Sequence, residues 1–269
     1  MSNSAADHQT FLAILERVAG FTVGIAAANN TVIGTGTLIS YRGKHLVLTA
    51  EHVIRGAVPS EVRFWCKPSA PLVEKPARDV TERELKKLTP GVNFPIETVA
   101  ADAEIDLALL AIKPGFQLPG SGALFDLSQS RVLTHPSTKL DGLSLLCFGF
   151  PVDNARTLAS KGNRRLNFLG CTSNVCNYDP DLNAELWSRV SSSISSDRNF
   201  LLKYNPAEEA INPPGFSGCG VWINAVSDRE LVWSPEPLLI GMVHRYVEKF
   251  SVLIATNLST VLDFVDAKV

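Results

Sequence analysis

The sequence predicts an all-β protein built as two antiparallel β-barrels with a short helix at each end. Three observations carry that expectation. Brief runs rich in Val, Ile, Leu, Thr and Phe recur along nearly the whole chain and are separated by Gly, Asn and charged turns, the pattern of antiparallel strands. The runs fall in two groups divided by a Gly-, Pro- and Ser-rich connection over 115–130, which suits two barrels better than one sandwich. Helical spacing of apolar residues is found mainly at the two ends.

Taken in order, Phe11, Leu12, Leu15 and Val18 share helical spacing behind Asp7, a suitable N-cap, and predict a helix over 7–18. The runs FTVGIAAA, TVIGTGTLIS, KHLVLTA, EVRFWC and DLALLAI predict the strands of the first barrel. Prolines and TERELKKL, with Thr81 and Glu84 at capping-box spacing, mark 67–95 as an inserted loop carrying a turn or two of helix. The second barrel is read from LSLLCFGF, RRLNFLGCTS, NFLLKY, GVWINA and LLIGMVHRYV, with 177–197 as a serine-rich loop holding a short helix. Leu258, Val261, Leu262 and Val265 lie on one face of a closing helix. The expected division is an N-terminal helix over 1–20, a first barrel over 21–125, and a second barrel with the closing helix over 126–269.

At 269 residues and 45% hydrophobic content the chain can bury a substantial core. A net charge of −2 supplies no basic field of the kind that dominates nucleic-acid affinity, so no nucleic-acid partner is expected. No apolar run reaches the roughly 18 residues of a spanning helix, so no membrane partner is expected either. The polar stretch 1–9 lacks the basic-then-apolar order of a secretory signal and predicts a cytoplasmic protein. Cys66, Cys147, Cys171, Cys176 and Cys219 are odd in number and scattered, which predicts free thiols in a reducing compartment. Cys171 and Cys176 are close in sequence but have no second Cys/His pair at ligand spacing, so neither a metal nor a cofactor is expected.

Three segments carry chemistry. In GTGTLISYRGKHLVLTAEHVI an apolar strand runs straight into Thr49-Ala50-Glu51-His52. His52 thus sits on a rigid support, and imidazole is the side chain whose ordinary pKa suits a general base at neutral pH. In Glu104-Ile105-Asp106 a carboxylate stands at the mouth of the apolar strand LALLAI. Such an acid is drawn inward and must find a donor, and a histidine N–H is a suitable one. Asp102 is the nearest competitor, but it has no comparable buried strand behind it. In Pro213-Pro214-Gly215-Phe216-Ser217-Gly218-Cys219 a serine lies between glycines, in a turn whose main-chain N–H groups can face inward as an oxyanion hole requires. Each segment alone has an ordinary reading, as a surface histidine, a turn aspartate or a Gly/Ser turn.

Together the segments resemble the chymotrypsin- and trypsin-like serine protease family, which carries T-A-x-H, a D-[IL]-A-L-L strand and G-x-S-G-G in that order. The counterparts here are Thr49-Ala50-Glu51-His52, Asp106-Leu107-Ala108-Leu109-Leu110 and Gly215-Phe216-Ser217-Gly218-Cys219, and the likeness spans about 21–266. The order His, Asp, Ser differs from those of subtilisin-type and α/β-hydrolase enzymes. The resemblance implies a chymotrypsin-like fold and a serine endopeptidase acting on polypeptides, with His52, Asp106 and Ser217 as the triad and the N–H groups of Gly215 and Ser217 as the oxyanion hole. It also implies a specificity pocket with Ile211 and Asn212 near its base and His244, Arg245 and Tyr246 along the groove, hence an uncharged P1 residue.

The match departs at Cys219, which replaces the second glycine and reads as a packed thiol, and at Arg245 and Tyr246, which narrow the groove. Phe216 stands where the secreted, cleavage-activated members carry an aspartate, so no activation by N-terminal cleavage is expected. A regulatory protein partner is compatible with that. The other readings are a catalytically idle protease fold that binds proteins and, more distantly, an esterase or acyl transferase on the same triad.

Overall fold

The computed structural model describes residues 5–26, 32–55, 57, 62–66, 92–119, 122–129, 144–150, 155–160, 163–169, 172–178, 187, 189, 194–204, 213–225 and 236–269. Helix α1 (Ala5–Gly20) leads into β1 (Thr22–Ala26), β2 (Val32–Tyr41), β3 (Lys44–Thr49), the single-turn α2 (Glu51–Ile54), β4 (Arg63–Cys66), β5 (Ile96–Asp102) and β6 (Leu107–Ile112). These strands form an antiparallel sheet ordered β4-β1-β2-β3-β6-β5, and β7 (Phe125–Asp126) adds parallel to β2. A bridge between Phe64 and Val92, just ahead of β5, draws the two ends of that path towards each other.

The second half contributes β8 (Ser144–Gly149), β9 (Ala155–Ser160), β10 (Asn163–Leu169), β11 (Thr172–Tyr178), β12 (Asn199–Lys203), β13 (Gly220–Ala225), β14 (Glu236–Val247) and β15 (Val252–Asn257), followed by α3 (Leu258–Lys268). Six of them close a barrel in the order β11-β12-β15-β14-β13-β8, while β9 and β10 form a separate hairpin. The architecture is the all-β, two-barrel one that the sequence predicts.

Its core explains the composition of the strands. Leu145 and Cys147 of β8 pack inside the second barrel with Phe200, Val221 and Leu253. The alternate residues Leu146 and Phe148 face a seam between the barrels instead, with Leu46 and Leu48 of β3, Leu107 and Leu109 of β6, and Trp222. In β6, Ala108, Leu110 and Ile112 turn the other way, into the first barrel. Strands buried on both faces have no side for polar residues, which is why LALLAI and LSLLCFGF read as continuous apolar runs. Both terminal helices seal this seam, α1 through Ile14 and Val18 and α3 through Leu258, Val261, Phe264 and Val265. Phe21 stacks on Trp222 at 5.7 Å and fixes the exit of α1.

Several local expectations are corrected. Helix α1 begins at Ala5, so Asp7 lies within it rather than capping it. RRLNFLGCTS is the end of one strand and the start of another, β10 and β11. Strands β5, β7, β9 and β15 add to those the sequence predicts. The expected helical turn at Thr81 and Glu84 and most of the loop over 177–197 lie outside the described residues. Asn257 caps α3 by accepting from Thr260 N at 2.9 Å, which places the start of the closing helix as its apolar spacing implied. Among the described residues no helix is long and apolar enough to cross a membrane.

Candidate active site

The end of β3, the turn between β5 and β6, and the loop before β13 converge on one cleft of about 440 Å³, lined by His52, Asp106, Pro214, Ser217, Arg245 and Tyr246 among others. His52 is the second residue of α2, and Asp106 serves as a substitute cap for that short helix. The Asp106 carbonyl accepts from Glu51 N at 3.2 Å, and its Oδ1 accepts from His52 N at 3.0 Å. The same carboxylate meets the imidazole, with Oδ2 2.8 Å and Oδ1 3.1 Å from His52 Nδ1. Glu51 is turned aside to Arg55, whose Nε donates to it at 2.9 Å.

Asp106 adopts a left-handed backbone, φ 53°, a conformation that Asp tolerates better than most residues because its short side chain bonds locally. That turn points the carboxylate inward, leaving its side chain 13% exposed against 39% for His52. Burial alone would raise the pKa of Asp106. The nearby His244 imidazole, hydrogen bonds from the His52 ring and main-chain N–H, and the charge of the His52 ring outweigh it and hold the carboxyl well below the usual carboxylate range. Asp102, the competitor, accepts instead from the N–H groups of Glu104 and Ile105 at 2.9 and 3.3 Å and caps the β5–β6 turn.

Ser217 sits in a loop sewn to both barrels by main-chain bonds. Thr35 N of β2 donates to Ser217 O at 2.8 Å, Gly218 N donates to Val243 O at 2.7 Å, and Val243 N donates to Cys219 O at 2.9 Å. Thr35 Oγ1 accepts from Phe150 N at 3.0 Å and donates to Gly215 O at 2.6 Å. Thr49 Oγ1 donates to Thr35 O at 2.7 Å and fixes that strand in turn. Gly215 and Gly218 have φ of 103° and 91°, and a Cβ on Gly218 would lie 1.9 Å from Thr35 O. The glycines flanking the serine are therefore required by backbone conformation and, at Gly218, also by lack of room. Among the described residues, the N–H groups of Gly215 and Ser217 have no protein acceptor.

His52, Asp106 and Ser217 line one cleft, and Gly215 lies in the loop between its lining residues Pro214 and Phe216. Ser217 Oγ donates to the carbonyl of His244 at 3.4 Å, and no hydrogen bond joins it to His52. Phe216 and Cys219 are buried in the core of the second barrel, and Phe216 also borders the cleft. The thiols of Cys66, Cys147 and Cys219 are buried, and burial pushes that of Cys66 up to about 12. Of the expected groove residues, Arg245 is exposed and Tyr246 is half-buried against Tyr204, ring centres 5.7 Å apart. Ile211 and Asn212 lie outside the described residues, as do Cys171 and the side chain of Cys176. His244 lines the same cleft, with its side chain only 6% exposed and its Nδ1 3.5 Å from Asp106 Oδ2. An exposed pair that the sequence reading missed, Arg198 with Glu104 at 2.9 Å, bridges the two barrels beside the cleft.

No protein-family model and no curated protein matches the chain. Among solved structures it is similar to the scabies mite inactivated protease paralogue S-I1, at 12% identity over 94% of this chain and 95% of that one, with a TM-score of 0.58. At that identity the likeness shows the fold alone, and that fold is chymotrypsin-like.

Proposed function

We propose that this protein is a serine endopeptidase that hydrolyses peptide bonds through His52, Asp106 and Ser217 and an acyl-enzyme intermediate. The observation that carries the reading is the double contact of the half-buried Asp106 carboxylate with His52 Nδ1, at 2.8 and 3.1 Å, on a cleft that also holds Ser217. A proton on Nδ1 directed at Asp106 leaves Nε2 free to act as base. Rotation of Ser217 Oγ from the His244 carbonyl towards His52 brings nucleophile and base together, and such bonds often tighten only when substrate binds. Attack on the scissile carbonyl then yields a tetrahedral oxyanion, to which the N–H groups of Gly215 and Ser217 donate. Each such donor is worth about 2.7–4 kcal/mol in enzymes of this mechanism. His52 returns the proton to the leaving amine, and water repeats the sequence on the acyl-enzyme.

The substrate is a polypeptide with an uncharged P1 residue, and no cofactor takes part. Phe216, packed into the second barrel, ties down the loop without a charge that a new N-terminus could pair with. A second reading, a protein-binding module on an idle protease fold, draws support from the bond of Ser217 Oγ to the His244 carbonyl instead of to His52. Identifying new protein N-termini after incubating a cell lysate with the wild type and with Ser217→Ala separates the two. The proposal expects cleavage products that the variant does not generate, and identical N-termini in both samples would sink it.

A further inference from the structure

A bulge in β14 singles out His244. Val243 pairs with Ala255 and Arg245 with Ile254 of β15, so His244 is the extra residue between them, and a bulge re-aims the side chain it carries. Here it turns the imidazole into a part-buried network with a definite sense. Ser195 N donates to Asn199 Oδ1 at 3.3 Å, which fixes the Asn199 amide. The amide nitrogen Nδ2 then faces His244 Nε2 at 3.3 Å and Thr256 Oγ1 at 3.4 Å. An amide NH2 only donates, so Nε2 accepts and the ring proton falls to Nδ1. His244 Nδ1 is buried and has no hydrogen bond of ordinary geometry. The acceptor it faces is Asp106 Oδ2 at 3.5 Å, the oxygen that His52 Nδ1 reaches at 2.8 Å.

We infer that His244 is a positioning residue for Asp106: Asn199 holds its imidazole as the Nδ1–H tautomer, and that N–H steadies Asp106 Oδ2 in its contact with His52. One carboxylate oxygen thus stands between two imidazole N–H groups. The consequence for rate rests on the proposed hydrolytic reading, whereas the tautomer does not. A charged acceptor held by two donors keeps one orientation better than one held by a single donor, so loss of the His244 donor should loosen His52 rather than the fold.

Long-range proton–nitrogen spectra of the full-length, nitrogen-labelled protein near neutral pH test the tautomer, with the His244 signals assigned by their disappearance in His244→Asn. The expected pattern is Nδ1–H in the wild type. Asn199→Asp, which places a carboxylate acceptor at Nε2, should convert it to a ring protonated at Nε2. For the rate, fluorophosphonate labelling of Ser217 should slow about tenfold or more in His244→Phe, which keeps a buried ring without a donor. Labelling should be largely restored in His244→Asn, whose amide N–H stands near the position of Nδ1. An Nε2–H tautomer in the wild type overturns the inference whether or not the protein hydrolyses anything, and so do equal labelling rates for His244→Phe and His244→Asn. A wild type with the Nδ1–H tautomer that takes no label upholds the arrangement and counts against the hydrolytic reading, so the two fail separately.

Discussion

The two sides of the cleft are held in place by different physics. The Ser217 loop is sewn down by main-chain groups and by the hydroxyls of Thr35 and Thr49, with glycines where there is no room for a side chain. The Asp106 turn is held by a half-buried charge that accepts from the main-chain and ring N–H groups of His52. A sewn loop tolerates no added atoms and is indifferent to pH. A charge-held turn accepts a change that keeps its shape but responds strongly to loss of charge.

The largest effect should come from Gly218→Ala. Its Cβ would meet Thr35 O at 1.9 Å in a left-handed backbone, and neither strand can yield without breaking its bonds, so a loss of about 4 kcal/mol or more is expected. Gly43→Ala is the control, since φ is 77° there too but nothing lies within 4 Å. That change should cost only about 1–2 kcal/mol. Urea unfolding of both variants measures the difference, and equal losses would break the comparison.

Asp106→Asn keeps a residue suited to left-handed φ and removes only the charge. Hydrolysis should fall by roughly 10⁴-fold, as when a triad carboxylate becomes an amide. Its pKa is depressed in the fold, so its contribution to stability is present above the unfolded value of about 3.9 and is lost as pH falls towards the folded one. Wild-type stability should therefore drop more steeply than that of Asp106→Asn between pH 7 and about pH 2. Parallel curves in urea unfolding would remove the charge from the account.

Thr35→Val deletes the hydroxyl that accepts from Phe150 N and donates to Gly215 O. A stability loss of about 1–3 kcal/mol is expected, with slower labelling because the Gly215 peptide is no longer fixed. Unchanged labelling would show that the hydroxyl does not set the loop. The smallest effect is expected for Glu104→Gln, whose partner Arg198 is half exposed. Thermal unfolding should detect less than about 1 kcal/mol.

What the sequence made legible follows the same division. His52, Asp106 and Ser217 could be picked out because each is flanked by an apolar strand or by glycines, and those flanks are what the fold uses to fix them. Strands β6 and β8 were readable because barrel interior and seam bury both of their faces. Strand β5 was not, since Glu, Ala and Asp are weak strand formers that break up its Ile, Thr and Val, and β6 supplies the pairing that makes it one. Strand β15 runs into α3 through Asn257 with no Gly or Pro between them, so its apolar run merged with the helical pattern. The orientation of His244 depends on a bulge, and in sequence it looked like any residue of a groove strand.

The account's central claim is most directly tested by treating the folded protein with a fluorophosphonate and mapping the adduct by mass spectrometry. The predicted result is a single adduct on Ser217 that is absent from Ser217→Ala and nearly lost from His52→Ala. An intact, folded wild type that takes no label, or an adduct that persists in Ser217→Ala, would contradict it.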